Sequence, residues 1–193
     1  MIENKILNSL ERLGYTTLWL DYGVLSIEYL DSQTQTFDKG IDSNKEHYRY
    51  NTLKHYLSSK DKLSDNEFDN YLQLVMSESD KAMAGSAASD LFNKVSLTDS
   101  QFYKLCTAIK EFGSWTEKII KRHKLLRKLN THNLTDVQFE ECLTKGDNIV
   151  QEFIIDKLNI SQLKEIETKG NTKKIRNIAI SKLKTVSETK IRR

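Results

Sequence analysis

The side chains best able to do chemistry are few and scattered. His47 and His55 stand eight residues apart, two turns along one helical face, too far to share a metal ion unless the helix breaks. His123 and His132 lie nine apart across an expected helix end. No His-Glu-x-x-His or paired-Cys string accompanies them, so no metal or cofactor is expected. Cys106 and Cys142 are the two cysteines, each among apolar residues of helical spacing. Both read as small buried hydrophobes in a reducing compartment rather than as a disulfide framework or zinc ligands. Lys104 and Lys110 flank Cys106, but Leu105, Ala108 and Ile109 place it on a buried face, where a thiol is inert. Gly85-Ser86 lacks the second glycine of a nucleophile elbow, and its small neighbours predict close helix packing instead. The carboxylate pairs Asp65/Asp69 and Glu140/Glu141 are expected to face solvent, and no Gly-rich phosphate loop occurs. No acid, base, nucleophile or metal constellation stands out, so no enzyme activity is expected.

Two clusters suit binding. In Glu46-His47-Tyr48-Arg49-Tyr50, residues Tyr48, Arg49 and Tyr50 are candidate protein-binding residues, because Tyr and Arg concentrate interface energy. The competing expectation is that Tyr48 packs while Arg49 pairs with an acidic neighbour of the first repeat. The second cluster is basic. Residues Lys118–Lys128 alternate apolar pairs with cations, placing Lys118, Lys121, Arg122 and Lys128 on a shared face. The C-terminal stretch adds cations from Lys169 to Arg192 and Arg193. Lys121, Arg122, Lys173, Lys174 and Arg176 are the candidates for a phosphate backbone. Beyond Trp115 the aromatics Phe139 and Phe153 are expected in the core, which disfavours base stacking on single strands.

These side chains must be positioned by helices. Ile2, Ile6, Leu7, Leu10 and Leu13 recur at helical spacing, and Gly14 supplies a stop. Tyr15–Leu30 mixes β-prone residues with a second helical pattern after Gly23, and is expected to be turn then helix. Residues 31–45 are polar, contain Gly40 and read as a loop. Asn44 then caps a helix beginning near Lys45, with Tyr48, Leu53, Tyr56 and Leu57 on its apolar side.

From Leu63 onward the chain repeats. Leu63-Ser64-Asp65-Asn66-Glu67-Phe68 returns as Leu97-Thr98-Asp99-Ser100-Gln101-Phe102, and again as Leu134-Thr135-Asp136-Val137-Gln138-Phe139. Each string is a helix start: the Ser or Thr hydroxyl caps free N–H groups, and Glu or Gln three residues later closes a capping box. A fourth, weaker start is Ile160-Ser161-Gln162-Leu163, without the Asp or the box partner. Thr144–Leu158 aligns with Thr168–Leu183, offset by 24 residues with one insertion. Gly146 and Gly170 are expected at helix C-termini, in the left-handed conformation. The spacing predicts helix pairs whose apolar faces are buried only by stacking.

The closing units, with Lys174-Ile175-Arg176-Asn177-Ile178-Ala179-Ile180 after the turn, resemble HEAT-type and variant leucine-rich helical repeats over about Leu63–Lys184. The resemblance implies an α-solenoid and a binding scaffold. The Glu46–Tyr50 string, followed by an Asp80-to-Gly85 turn, is similar to small bacterial proteins to which no activity is firmly assigned.

The whole chain agrees with this picture. Its 193 residues contain no proline and 7 glycines, 38% hydrophobic and 30% charged, a composition that favours helices over multi-turn β architectures and over disorder. Residues 1–100 hold 10 Lys and Arg against 16 Asp and Glu, a net of −6; residues 101–193 hold 20 against 11, a net of +9. Glu3 and Glu11 interrupt the first apolar stretch, unlike a signal peptide, and no apolar run is long enough to span a bilayer. A cytoplasmic location is expected, with no membrane partner. The expected architecture is all-α: an N-terminal helical segment over 1–60, then helix-pair repeats over 61–193, one continuous domain. The expected function is non-enzymatic capture of another protein, as in a small bacterial or phage-type adaptor, inhibitor or immunity-like protein. The alternative is phosphate-backbone binding through the basic half.

Overall fold

A computed structural model describes residues 2–129 and 134–191. His132, Arg192 and Arg193 lie outside the described residues. The structure is all-helical, with twelve α-helices and no strand among the described residues. No described helix is long and apolar enough to cross a membrane.

The chain divides into two compact units, Met1–Thr116 and Glu117–Arg193. In the first, α1 (Ile2–Leu13) ends where Gly14 turns left-handed at φ +74°. A one-turn α2 (Leu18–Asp21) and a second left-handed glycine, Gly23, precede α3 (Ile27–Asp38), which Ser26 caps by accepting from Tyr29 N–H. The expected loop over 31–45 is thus corrected: helix continues to Asp38. Its polar string is held because Gln33 is buried and bonded, its Nε2 donating to the Tyr48 carbonyl and Thr52 Oγ1, both at 3.0 Å. Tyr15 OH donates to Gln33 Oε1 at 2.7 Å and joins the same network at Thr52. Such long-range satisfaction is invisible to local periodicity.

Next come α4 (Lys45–Ser58), α5 (Asp65–Ser77), α6 (Lys81–Lys94) and α7 (Asp99–Ala108), with a 3-10 turn over Ile109–Phe112. Asn44 occupies the N-cap of α4, but its side chain makes no cap bond. Asp80 and Gly85 do not form the expected turn: Asp80 caps α6 and Gly85 lies inside it. There the small residues do permit close packing, for a Cβ on Gly85 would fall 2.6 Å from the Trp115 ring. Phe68, Tyr71, Leu74 and Leu91 are fully buried in this unit.

The capping boxes form as the repeated string predicts, at Ser64/Glu67, Thr98/Gln101 and Thr135/Gln138. The string also links neighbouring repeats. Gln101 turns its Nε2 to Asp65 Oδ1 at 2.8 Å and to the Leu63 carbonyl at 3.1 Å. Ser96 N–H donates to the Asp61 carbonyl, and Lys104 pairs with Asp69 at 2.6 Å, so α5 and α7 run in parallel register.

The second unit holds α8 (Thr116–Lys128, its first residue assigned to the first unit), α9 (Asp136–Lys145), α10 (Asn148–Ile154), α11 (Ile160–Lys169) and α12 (Lys173–Ile191). Leu125, Phe139, Cys142, Val150, Ile154, Ile166, Ile175 and Ala179 belong to its core. The fourth repeat start is corrected by one position: Asn159 is the N-cap and closes a box with Gln162. Gln162 Nε2 reaches back to Asp136 Oδ1 at 3.1 Å, as Gln101 reaches Asp65. At the other ends of α9 and α11, Asn171 N–H donates to Gln151 Oε1 and its side-chain amide to the Gly146 carbonyl. Gly146 and Gly170 are not left-handed, having φ −75° and −57°. Glycine stands there because a Cβ would run into the Cys142 and Ile166 carbonyl oxygens respectively. Phe153 is also corrected: it is 46% exposed, with Lys157 over its ring, rather than in the core.

Candidate functional site

The Glu46–Tyr50 string divides by helical face. Tyr48 and Arg49 point inward and are buried. Tyr48 OH donates to the Asp42 carbonyl at 2.9 Å. Arg49 Nε donates to Glu78 Oε1 at 2.8 Å, and its Nη1 donates to the Leu13 carbonyl at 3.0 Å. The acidic neighbour is thus Glu78, just past the end of α5. This ion pair is buried, so removing either partner leaves an uncompensated charge in the interior. Gly14 clears the space: a Cβ there would come 2.6 Å from Arg49 Nη1. The Arg49 and Glu78 side chains tie the ends of α1 and α5 to α4.

The outward residues of the string line a small cavity of ≈ 290 Å³ between α4 and α6, with Glu46, His47, Tyr50, Asp80 and Met83 in its walls. His47 Nδ1 lies 2.8 Å from Asp42 Oδ2. The Asn44 N–H and then His47 hold the Asp42 carboxyl below the usual carboxylate range. Tyr50 OH donates to Asp90 Oδ2 at 3.2 Å. Ser86 shares the cavity, but its hydroxyl donates to the Ala82 carbonyl at 2.9 Å. His55 is stacked on Tyr29, so the two histidines are engaged separately. Both cysteines are buried, and desolvation pushes the Cys142 thiol up to about 11, away from the thiolate needed for reactivity. Among the described residues no His, Cys, Asp and Glu group has metal-holding geometry.

The five cations read as a phosphate surface have unlike fates. Arg122 Nε donates to Asp147 Oδ2 at 2.6 Å, Lys174 pairs with Glu152 at 2.8 Å, and Arg176 donates to the Gly170 carbonyl at 2.5 Å. Lys121 and Lys173 are exposed. Sequence spacing gives the cations but not their carboxylates, which come from Asp147, the N-cap of α10, and from Glu152 within it. On α8, Lys118, Lys121 and Lys124 are all exposed and, among the described residues, enter no ion pair. Lys128, further along, pairs with Glu141 at 3.2 Å.

A further concavity was not foreseen. A groove of ≈ 940 Å³ opens between α9 and α11, with Asp136, Val137, Phe139, Glu140, Lys145 and Glu165 among its lining residues. Val137 is 80% exposed there, whereas Phe139 is buried. The sequence signal for it was the aligned pair of repeats, since corresponding helices set side by side leave a furrow. No protein-family model matches the chain, and none of the curated proteins or solved structures matches it.

Proposed function

We propose that the chain is a non-enzymatic protein-binding module whose working surface is the groove between α9 and α11. The observation that carries this reading is the groove's construction. Its walls are corresponding helices of consecutive repeats, linked at one end by Gln162 to Asp136 and at the other by Asn171 to Gly146 and Gln151. A surface braced at both ends loses little conformational entropy when a partner docks. Val137 supplies an exposed apolar contact beside the carboxylates of Glu140 and Glu165, the mixture of apolar centre and polar rim that protein interfaces use. The parallel register of neighbouring repeats agrees with a HEAT-like α-solenoid, in which such furrows face a bound protein. A small adaptor or inhibitor that occludes its target, an immunity-like protein included, is the form this activity takes.

The test is affinity capture from the native host with mass spectrometry, run in parallel with the Val137→Arg, Glu140→Lys double variant. A single partner retained by the parent and lost by the variant, with an unchanged helical circular dichroism spectrum, is the expected result. Equal retention by both would move the interface elsewhere, and repeated failure to retain any protein would remove the reading.

A further inference from the structure

The geometry of α8 assigns the second unit a separate site for the phosphate backbone of duplex nucleic acid, formed by Lys118, Lys121 and Lys124. This goes beyond the protein-binding reading and does not depend on it. The helix is amphipathic: Ile120 and Leu125 are buried, while the three lysines, one every three residues, are exposed. At 100° and 1.5 Å per residue they cover an arc of about 120° over a rise of about 9 Å.

What marks these lysines is that three cations without local compensation stand within two turns of one helix, whereas Lys157, Lys164, Lys173 and Lys184, which also lack a carboxylate partner among the described residues, are spread over other segments. Arg122, Lys128, Lys145, Lys169, Lys174 and Lys182 each have a carboxylate partner. Lys118, Lys121 and Lys124 have none among the described residues, and Glu117 is the lone acid in the sequence of α8. Residues 117–193 hold 18 Lys and Arg against 10 Asp and Glu, a net of +8, so the unit that carries the stripe is itself net positive.

The character of the stripe selects its ligand. A protein partner would require an apolar or aromatic anchor, since lysine is depleted from interface cores. None of the exposed large hydrophobics lies within α8. Single-stranded nucleic acid would require stacking rings, and α8 has no aromatic residue apart from His123. A duplex backbone, with one charge per about 1.7 Å, asks only for point cations at this spacing.

Fluorescence anisotropy of a labelled 20-base-pair DNA duplex, titrated with the full chain at 0.05 and 0.15 M NaCl, tests the assignment. Three phosphate contacts predict a log–log salt slope of about −2.7, hence a loss of roughly 20-fold across that interval. The triple variant Lys118→Gln, Lys121→Gln, Lys124→Gln should weaken binding at 0.05 M at least tenfold. The matching triple Lys→Arg variant should retain it, as should Lys173→Gln with Lys174→Gln. All these side chains are exposed, so the fold should persist, with circular dichroism as the check. No binding of the duplex at 0.05 M NaCl overturns the assignment. So does a glutamine triple variant that binds as the parent does, a tighter complex with an oligo-dT single strand, or displacement of the duplex by polyglutamate at equal charge.

Discussion

At the scale of single residues, the side chains that looked most chemical are engaged in holding the fold. Arg49 is the clearest case: as a surface residue it would have been an interface anchor, but its guanidinium is enclosed by Glu78 and the Leu13 carbonyl. His123 shows a second consequence of enclosure. Desolvation on the inner side of α8, reinforced by the neighbouring Arg122 charge, lowers its pKa from 6.5 to about 4. The folded state therefore resists a proton that the unfolded chain accepts below about pH 6.5. Stability from this residue is complete above that pH and declines as pH falls from about 6.5 to about 4. The urea midpoint followed by far-UV circular dichroism should thus fall between pH 7 and pH 5 more steeply in the parent than in His123→Gln. Parallel curves for the two proteins would show that the imidazole titrates normally in the native state.

At the scale of helices, the repeated string has two tasks, one local and one between repeats. In two copies the glutamine at the third position closes the cap of its own helix with Oε1 and donates Nε2 to the first-turn aspartate of the preceding repeat, Gln101 to Asp65 and Gln162 to Asp136. Elsewhere the pattern departs: Gln138 gives its Nε2 to the Lys128 carbonyl, Glu67 has no amide to donate, and Ile160 has no carboxylate to receive. Gln162→Glu isolates the second task, because the carboxylate can still accept at the cap but faces Asp136 as a like charge. A loss of about 1–3 kcal/mol is expected from urea denaturation; a change below about 0.3 kcal/mol would show that the linkage carries no stability. The caps were legible from sequence because every atom of a capping box lies within four residues. The linkage was not, because Asp136 and Gln162 lie 26 residues apart. The same reason hid the helix over 31–38, whose polar string includes a Gln33 that Tyr15, Tyr48 and Thr52 satisfy from distant positions. The groove was half legible, since the alignment of two repeats foretold parallel helices but not the furrow between them. At Gly146 the right residue was singled out for the wrong conformation: it is crowded by the Cys142 carbonyl, not turned left-handed.

At the scale of the whole molecule, the charge asymmetry falls close to the division between the two units. Residues 1–116 hold 12 Lys and Arg against 17 Asp and Glu, a net of −5, whereas residues 117–193 carry +8. Each unit also has buried residues enough for its own core: Leu53, Phe68, Tyr71 and Leu91 in the first, Ile154, Ile166, Ile175 and Ala179 in the second. Two cores of this kind predict two unfolding transitions rather than one. The distribution of tryptophan makes the transitions separable, because Trp19 and Trp115 both belong to residues 1–116, whereas helical circular dichroism reports on both units. Ile166 is fully buried in the second core, so Ile166→Ala should remove about 2–5 kcal/mol from that unit by lost burial and a residual cavity. The expected outcome is a circular dichroism transition that splits or moves to lower urea while the tryptophan fluorescence midpoint stays in place. If both midpoints fall together by the same amount, the chain unfolds as one cooperative block and the two cores stabilise one another.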